Sequence, residues 1–232
     1  MFIPLKDDNP TVRFPYITVL FIALNVLIFL YQIISPPEFH YHIYKMGVVP
    51  KEITHFTKVR DFPVQFTVPV ERISAPLTLL TSMFLHGGIF HLLGNMLFLW
   101  IFGNNIEDFL GSGRFILFYL LSGLGATFTH IIFNPNSESP TVGASGAIAG
   151  VLGAYLILYP RAKVLTLVFL FFFIRILPIP AAVFLGLWFL MQILYMGLES
   201  GIAWFAHIGG FLIGIVLIKI YSRRRKPKVW IH

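Results

Sequence analysis

Five stretches of this chain, near 15–34, 88–106, 114–133, 180–198 and 202–221, are almost wholly apolar. Each approaches the roughly 20 residues that a helix needs to cross a bilayer core. Hydrocarbon admits only structures that satisfy every backbone polar group internally, so these stretches are expected to be membrane helices. A sixth stretch, 145–160, is shorter; at about 1.5 Å per residue it covers only ~24 Å. The polar, turn-rich run Asn134-Pro-Asn-Ser-Glu-Ser-Pro140 comes before it and cannot continue a helix. The sixth helix is therefore expected to begin below the membrane surface, its N-terminus facing a cavity.

Composition agrees: 57% of the 232 residues are hydrophobic and 12% charged, against about 45–50% and about 25% in soluble domains. That excludes an ordinary soluble protein, a disordered chain and a nucleic-acid binder. The chain has no cysteine, which removes disulfides, zinc–thiolate sites and thiol nucleophiles together. The segment Met1 to Thr11 is short and carries Asp7 and Asp8, without the basic start of a cleavable signal. No repeat and no second domain are visible, so residues 1–232 are expected to form one membrane domain.

The apolar run Val164–Leu177 is ambiguous, because it ends in Arg175 and is followed by Pro178 and Pro180. As a span it would make seven. As a cytoplasmic interfacial segment, or a broken extension of the next span, it leaves six. With six spans and the N-terminus inside, Lys6, Arg13, Arg114, Arg161, Lys163, Arg175, Lys219, Arg223, Arg224, Arg225, Lys226 and Lys228 lie inside. Lys45, Lys51, Lys58, Arg60 and Arg72 lie outside. The positive-inside rule thus favours an all-α bundle of six transmembrane helices with both termini cytoplasmic. The outside loop 35–87 is apolar and aromatic enough to be structured and partly interfacial. The basic tail 222–232 directly follows an apolar span, which suits anionic lipid headgroups better than nucleic acid.

Polar side chains within spans are expensive and by default mark function. His91 and Asn95 lie four apart in the second span, on one helical face. Ser145 opens the short fourth helix within Gly143-Ala-Ser-Gly146, and His207 lies early in the last span. Spans two, four and six run in the same direction, so His91, Ser145 and His207 are expected at a similar shallow depth. Small residues at spacing four, Gly146, Gly150 and Ala154 on one helix and Ala206, Gly210 and Gly214 on another, allow close helix approach. A serine hydroxyl is a poor nucleophile until a base takes its proton, and histidine is the usual base. The only carboxylate after Ser145 is Glu199, in the loop before the last span, so the residues favour a Ser–His dyad over a triad. The Ser145 amide and the side chains of His91 and Asn95 are candidate oxyanion donors.

Taken singly, these residues have simpler readings. A serine or glycine in a membrane helix serves packing, and His86 and His130 read as hydrogen-bonded packing residues. His86, His91 and His207 lack the HExxH spacing of a helical zinc site, so no metal and no cofactor are expected. A pore lined by buried His and Ser is a further alternative.

Together the motifs resemble those of rhomboid intramembrane serine proteases over nearly the whole chain. The matching pieces are Asp7-Asp8-Asn9-Pro10, the run from Met83 through His91 to Asn95, Gly143-Ala-Ser-Gly-Ala-Ile-Ala-Gly150 and Ala206-His-Ile-Gly-Gly-Phe-Leu-Ile-Gly214. The resemblance implies a six-helix fold of rhomboid type, Ser145 as nucleophile and His207 as base. It also implies an oxyanion site of His91, Asn95 and the Ser145 amide, and Gly210 and Gly214 as a helix contact. The implied activity is hydrolysis of peptide bonds in or next to transmembrane segments of substrate proteins. A non-catalytic relative that only binds membrane clients is the alternative within the family. Helices near span five and the loop before span four are implied to govern lateral substrate entry. The implied setting is a multi-pass position in a prokaryotic plasma membrane. Two positions depart from the family pattern: Leu77-Thr78 stands where many relatives carry Trp-Arg, and Ala149 stands where some carry an aromatic that stacks on the histidine. The ring of His207 must then be oriented by something else.

Overall fold

The computed structural model describes residues 2–59, 62, 64–170, 173–196 and 201–222. The chain runs β1 (Phe2–Asp7), α1 (Tyr16–Ile34), α2 (Phe39–Met46), α3 (Pro50–His55) and α4 (Ala75–Thr81). It continues through α5 (Ile89–Phe98), a π turn at Leu99–Gly103, α6 (Asn104–Leu110), α7 (Ser112–Phe133) and α8 (Ser145–Leu158). Then follow β2 (Lys163–Leu170), β3 (Phe173–Pro180), α9 (Ala181–Leu194) and α10 (Trp204–Ser222). The fold is mostly helical. Among the described residues four helices are long and apolar enough to cross a membrane: Tyr16–Ile34, Ile89–Leu110, Ser112–Phe133 and Trp204–Ser222. Helices α8 and α9 have 14 residues each, or ~21 Å at about 1.5 Å per residue.

The short α8 lies at the centre. Its sequence is rich in Gly and Ala, and every residue from Gly146 to Tyr155 is buried. Small side chains let α7 and α10 close on it. A Cβ on Gly150 would meet Ser122 Cβ of α7 at 2.4 Å, and one on Gly153 would meet the Phe211 carbonyl oxygen of α10 at 2.2 Å. With its own Tyr155, Phe102, Phe115, Phe118, Tyr119 and Leu185 fill the bundle core.

Carboxylates set the start of α1. The first turn of a helix has free N–H groups that favour an anion. Glu107, 3% exposed, accepts from Ile17 N at 3.0 Å, Thr18 N at 2.8 Å, Thr18 Oγ1 at 2.9 Å and Ser112 Oγ at 2.7 Å. Asp108 accepts from Val12 N and Arg13 N. One acidic pair thus joins the entry to α1 to the junction of α6 and α7.

Two expectations need correction. The run Val164–Leu177 is neither a span nor an extension of the next helix. It belongs to an antiparallel hairpin of β2 and β3 in register Lys163↔Pro180 to Leu170↔Phe173. Strand β1 adds antiparallel to β2 on the other side, with Phe2 opposite Val168. The all-α expectation therefore gives way to a helical bundle with a three-stranded sheet. The physical reason is a period of two: Val164, Thr166 and Val168 are buried, while Leu165 and Leu167 between them are only partly so. β-Branched residues suit that pleated, half-covered surface.

The loop 35–87 is structured at its described positions. Beyond its three helices it holds a buried ion pair, in which Arg72 Nε meets the Glu52 carboxylate at 2.9 Å with both side chains 3% exposed. Arg72 also donates to the Tyr44 and Gly47 carbonyls. Glu199, Arg60 and the basic residues 223–232 lie outside the described residues.

Candidate active site

The loop before α8 is held from two directions. Val48 pairs with Thr141 in an isolated bridge, and Gly143 N donates to the Ser82 carbonyl at 2.8 Å. Gly143 has φ +132, where a side chain would be strained, and a Cβ there would stand 2.9 Å from His91 Nε2. A glycine is needed on both counts. The turn brings the His91 ring against the backbone that precedes Ser145, and Ser145 opens α8. The free N–H groups of the first turn surround it.

Helix α10 closes on the same end of α8. A Cβ on Gly210 would stand 2.1 Å from Gly146 O, and one on Gly214 would stand 2.0 Å from Gly150 O. The two backbones touch, and His207 on α10 comes level with Ser145. Its Nε2 lies 2.9 Å from Ser145 Oγ. Its Nδ1 lies 2.8 Å from Gln192 Oε1 of α9, and Gln192 Nε2 donates to the Trp188 carbonyl at 3.0 Å. The Trp188 and Trp204 rings lie 6.0 and 6.3 Å from the His207 ring, the second edge-on.

On α5, His91 is exposed and Asn95 is 8% exposed. His91 Nδ1 accepts from Gly87 N at 3.3 Å, so the ring proton sits on Nε2, the nitrogen beside Gly143. Asn95 Nδ2 is a buried donor with no partner among the described residues. An orphaned donor is costly unless it serves an acceptor that arrives later. The segment before α5 is pinned by Gln32 of α1, which accepts from His86 N at 3.1 Å and donates to His86 O at 3.2 Å. A cavity beside Ser145 is lined by Ser82, His130, Thr141, Gly143 and Ala206 among others.

The structure thus brings Ser145, His207 and His91 together through Gly143, with Gly146 and Gly210 forming the contact beneath them. His130 reaches Thr141 Oγ1 at 3.2 Å and not the dyad. His86 is fully buried with its ring against His91, centroids 5.1 Å apart, and neither ring nitrogen has a partner among the described residues. Gln192 was the residue that sequence reasoning missed. The signal was available, since it is an amide inside an apolar span, the same criterion that singles out Asn95. A hydroxyl facing an imidazole whose far nitrogen is held, next to unpaired N–H donors, can form and stabilise an acyl-transfer intermediate.

A family profile described as Rhomboid domain matches residues 74–224. Rhomboid protein 1, mitochondrial, of Saccharomyces cerevisiae is 29% identical over 153 residues, which cover 62% of this chain and 41% of that protein. Rhomboid protease GluP of Bacillus subtilis is 49% identical over 78 residues, covering 34% of this chain and 15% of that protein. RHOMBOID-like protein 4 of Arabidopsis thaliana is 39% identical over 146 residues, covering 60% of this chain and 32% of that protein. The matches span well under half the length of these curated relatives. They include mitochondrial and plant proteins beside a bacterial one, and so do not support the expectation of a prokaryotic plasma membrane.

Proposed function

The chain is an integral membrane protein of the rhomboid family, and we propose that it is an intramembrane serine endopeptidase that cuts peptide bonds in or next to transmembrane segments of other proteins. The observation that carries this reading is the 2.9 Å contact of Ser145 Oγ with His207 Nε2 at the head of a buried helix. In the proposed reaction His207 Nε2 takes the Ser145 proton as Oγ bonds to the scissile carbonyl carbon, whose π electrons move onto oxygen. The Ser145 amide, His91 Nε2–H and Asn95 Nδ2–H receive that oxyanion. His207 then passes its proton to the leaving amine, and water releases the acyl group by the same steps in reverse.

The substrate helix must unwind at the cut, because a helical carbonyl is already hydrogen-bonded and shielded. Residues of low helix propensity such as Gly should mark good sites. The topology proposed is six spans with both termini cytoplasmic, α8 and α9 being the short members. The distribution of basic residues supports that orientation. The basic tail would rest on anionic lipid headgroups.

The test is labelling by a fluorophosphonate probe, with cleavage of a transmembrane substrate in proteoliposomes, for wild type and Ser145→Ala. Wild type should label and cut, and Ser145→Ala should do neither. Undiminished cleavage by purified Ser145→Ala would sink the reading.

A further inference from the structure

We propose that Gln192 of α9 is a positioning residue that fixes the tautomer of His207, keeping Nε2 unprotonated and directed at Ser145. The proposal rests on the serine-protease reading above and names what orients the base in a chain with Ala149 in place of a stacking aromatic.

Three hydrogen bonds in series carry it. The Trp188 carbonyl can only accept, so the amide that bonds it at 3.0 Å must present its NH₂ there. That leaves Gln192 Oε1, an acceptor, facing His207 Nδ1 at 2.8 Å. An acceptor at that distance requires a proton on Nδ1. A neutral imidazole carries one N–H, so Nε2 presents its lone pair to the Ser145 hydroxyl at 2.9 Å. Turning the amide over would set its oxygen against the Trp188 oxygen. Gln192 is 6% exposed, which leaves little water to relieve that clash. The orientation is therefore locked by the backbone of α9 itself.

This lock matters because an amide behind a catalytic histidine can equally hold it wrongly. In a protease of the chymotrypsin type, changing the orienting aspartate to asparagine costs about 10⁴-fold in kcat by stabilising the wrong tautomer. Here the Trp188 carbonyl occupies the NH₂ that would do so. During the reaction the Ser145 proton moves to Nε2 and later to the leaving amine, while the Nδ1 proton stays on Nδ1, donated to Gln192 Oε1 throughout. The amide supplies orientation without the negative charge of a carboxylate, and among the described residues no carboxylate is hydrogen-bonded to His207.

The test is a set of pH–rate profiles for the full chain in proteoliposomes with one transmembrane substrate, comparing wild type, Gln192→Leu and Gln192→Glu, each with its melting temperature. The ionisable groups acting on His207 from its other neighbours are His91 of α5 and His130 of α7, and both are unchanged in these variants. Gln192→Leu should lower kcat by about 10–100-fold with KM little changed, since it disturbs the base and not substrate binding. Gln192→Glu keeps an acceptor for Nδ1 but sets its second oxygen against the Trp188 carbonyl, so it should cut faster than Gln192→Leu though below wild type. It should also move the acidic limb of kcat/KM up by about a pH unit, because a carboxylate favours the imidazolium. A wild-type kcat in Gln192→Leu, or an unmoved limb or no cleavage in folded Gln192→Glu, would overturn the assignment. If Gln192→Leu does not fold, the limb of Gln192→Glu decides. Cleavage by Ser145→Ala would instead overturn the protease reading itself, so the two failures are distinguishable.

Discussion

Replacing Gly210 by alanine adds one methyl group where no space exists. The new Cβ would stand 2.1 Å from Gly146 O, 3.0 Å from Gly146 C and 3.2 Å from Ala126 Cβ. Two of these are backbone atoms of the central helix, so no flexible side chain can yield. To restore contact distance α10 must retreat by about 1 Å, an overpacking cost of about 1–3 kcal/mol. His207 lies three residues earlier on α10 and moves with it. Its 2.9 Å contact with Ser145 Oγ would open toward ~4 Å, beyond the range for proton transfer, and misplacement on that scale costs about 10²-fold in rate. Melting followed by intrinsic fluorescence and steady-state cleavage of one substrate would measure both effects. Gly186→Ala on α9 is the control, because among the described residues nothing lies within 4 Å of its new Cβ. It should be neutral or stabilising by up to about 1 kcal/mol through helix propensity. A Gly210→Ala protein with wild-type melting temperature and rate would refute the idea that the α8–α10 contact sets the dyad distance.

Asn95→Ala and His91→Ala should each lower kcat partially, by up to about 10²–10³-fold, because the Ser145 amide remains; full rates in both would remove them from the oxyanion site. Glu107→Ala strips the acceptor from two backbone N–H groups at the start of α1 and from two hydroxyls. It should cost about 3 kcal/mol or more, given about 1–3 kcal/mol per buried group left unpaired, and an unchanged melting temperature would contradict that capping role. Asp7, with its carboxylate against Asn105 and Tyr155, has its pKa pushed up from 3.8 to about 6 by burial. A raised folded-state pKa means the folded protein holds the proton longer, so this contribution is full below about pH 4 and is lost as pH rises through 6. It amounts to at most about 3 kcal/mol at 1.36 kcal/mol per unit. Stability of wild type minus Asp7→Asn should fall between pH 4 and 6, and a flat difference would refute the buried-carboxyl assignment.

Helix length and position were readable because hydropathy is a property of the segment alone. The described bounds of α1, α7 and α10 fall within a few residues of the expected ones. The hairpin was hidden by that same measure. Val164 to Phe169 is apolar at every position but Thr166, and hydropathy then cannot separate a strand from a short span. The alternation shows only when Thr166 is seen to be buried between Val164 and Val168. Strand β1 was invisible for a different reason. Its residues Phe2–Asp7 are strand by pairing with a partner more than 150 positions away, and no local pattern encodes that.

The candidate site divides along similar lines. Ser145, His91, Asn95 and His207 stand out because each is polar in a helix that hydrocarbon should make apolar, and the small residues on α8 and α10 mark a contact face. What sequence could not supply is which polar groups meet. Asn25, Gln32 and Gln192 are also amides in apolar helices, yet they act differently: Asn25 bonds within its own helix, Gln32 pins the segment before α5, and Gln192 meets His207. The dyad is consequently held in two unlike ways. Its distance is set by backbone touching backbone between α8 and α10, a contact that cannot slacken without separating whole helices. The orientation of His207 depends on one amide of α9, a helix that meets α8 and α10 without a comparable glycine contact; among the described residues nothing lies within Cβ reach of Gly186. A small shift of α9 would then leave Ser145 and His207 in place while releasing Nδ1. Substitutions in α9 should act on the protonation of the base before they act on the stability of the bundle.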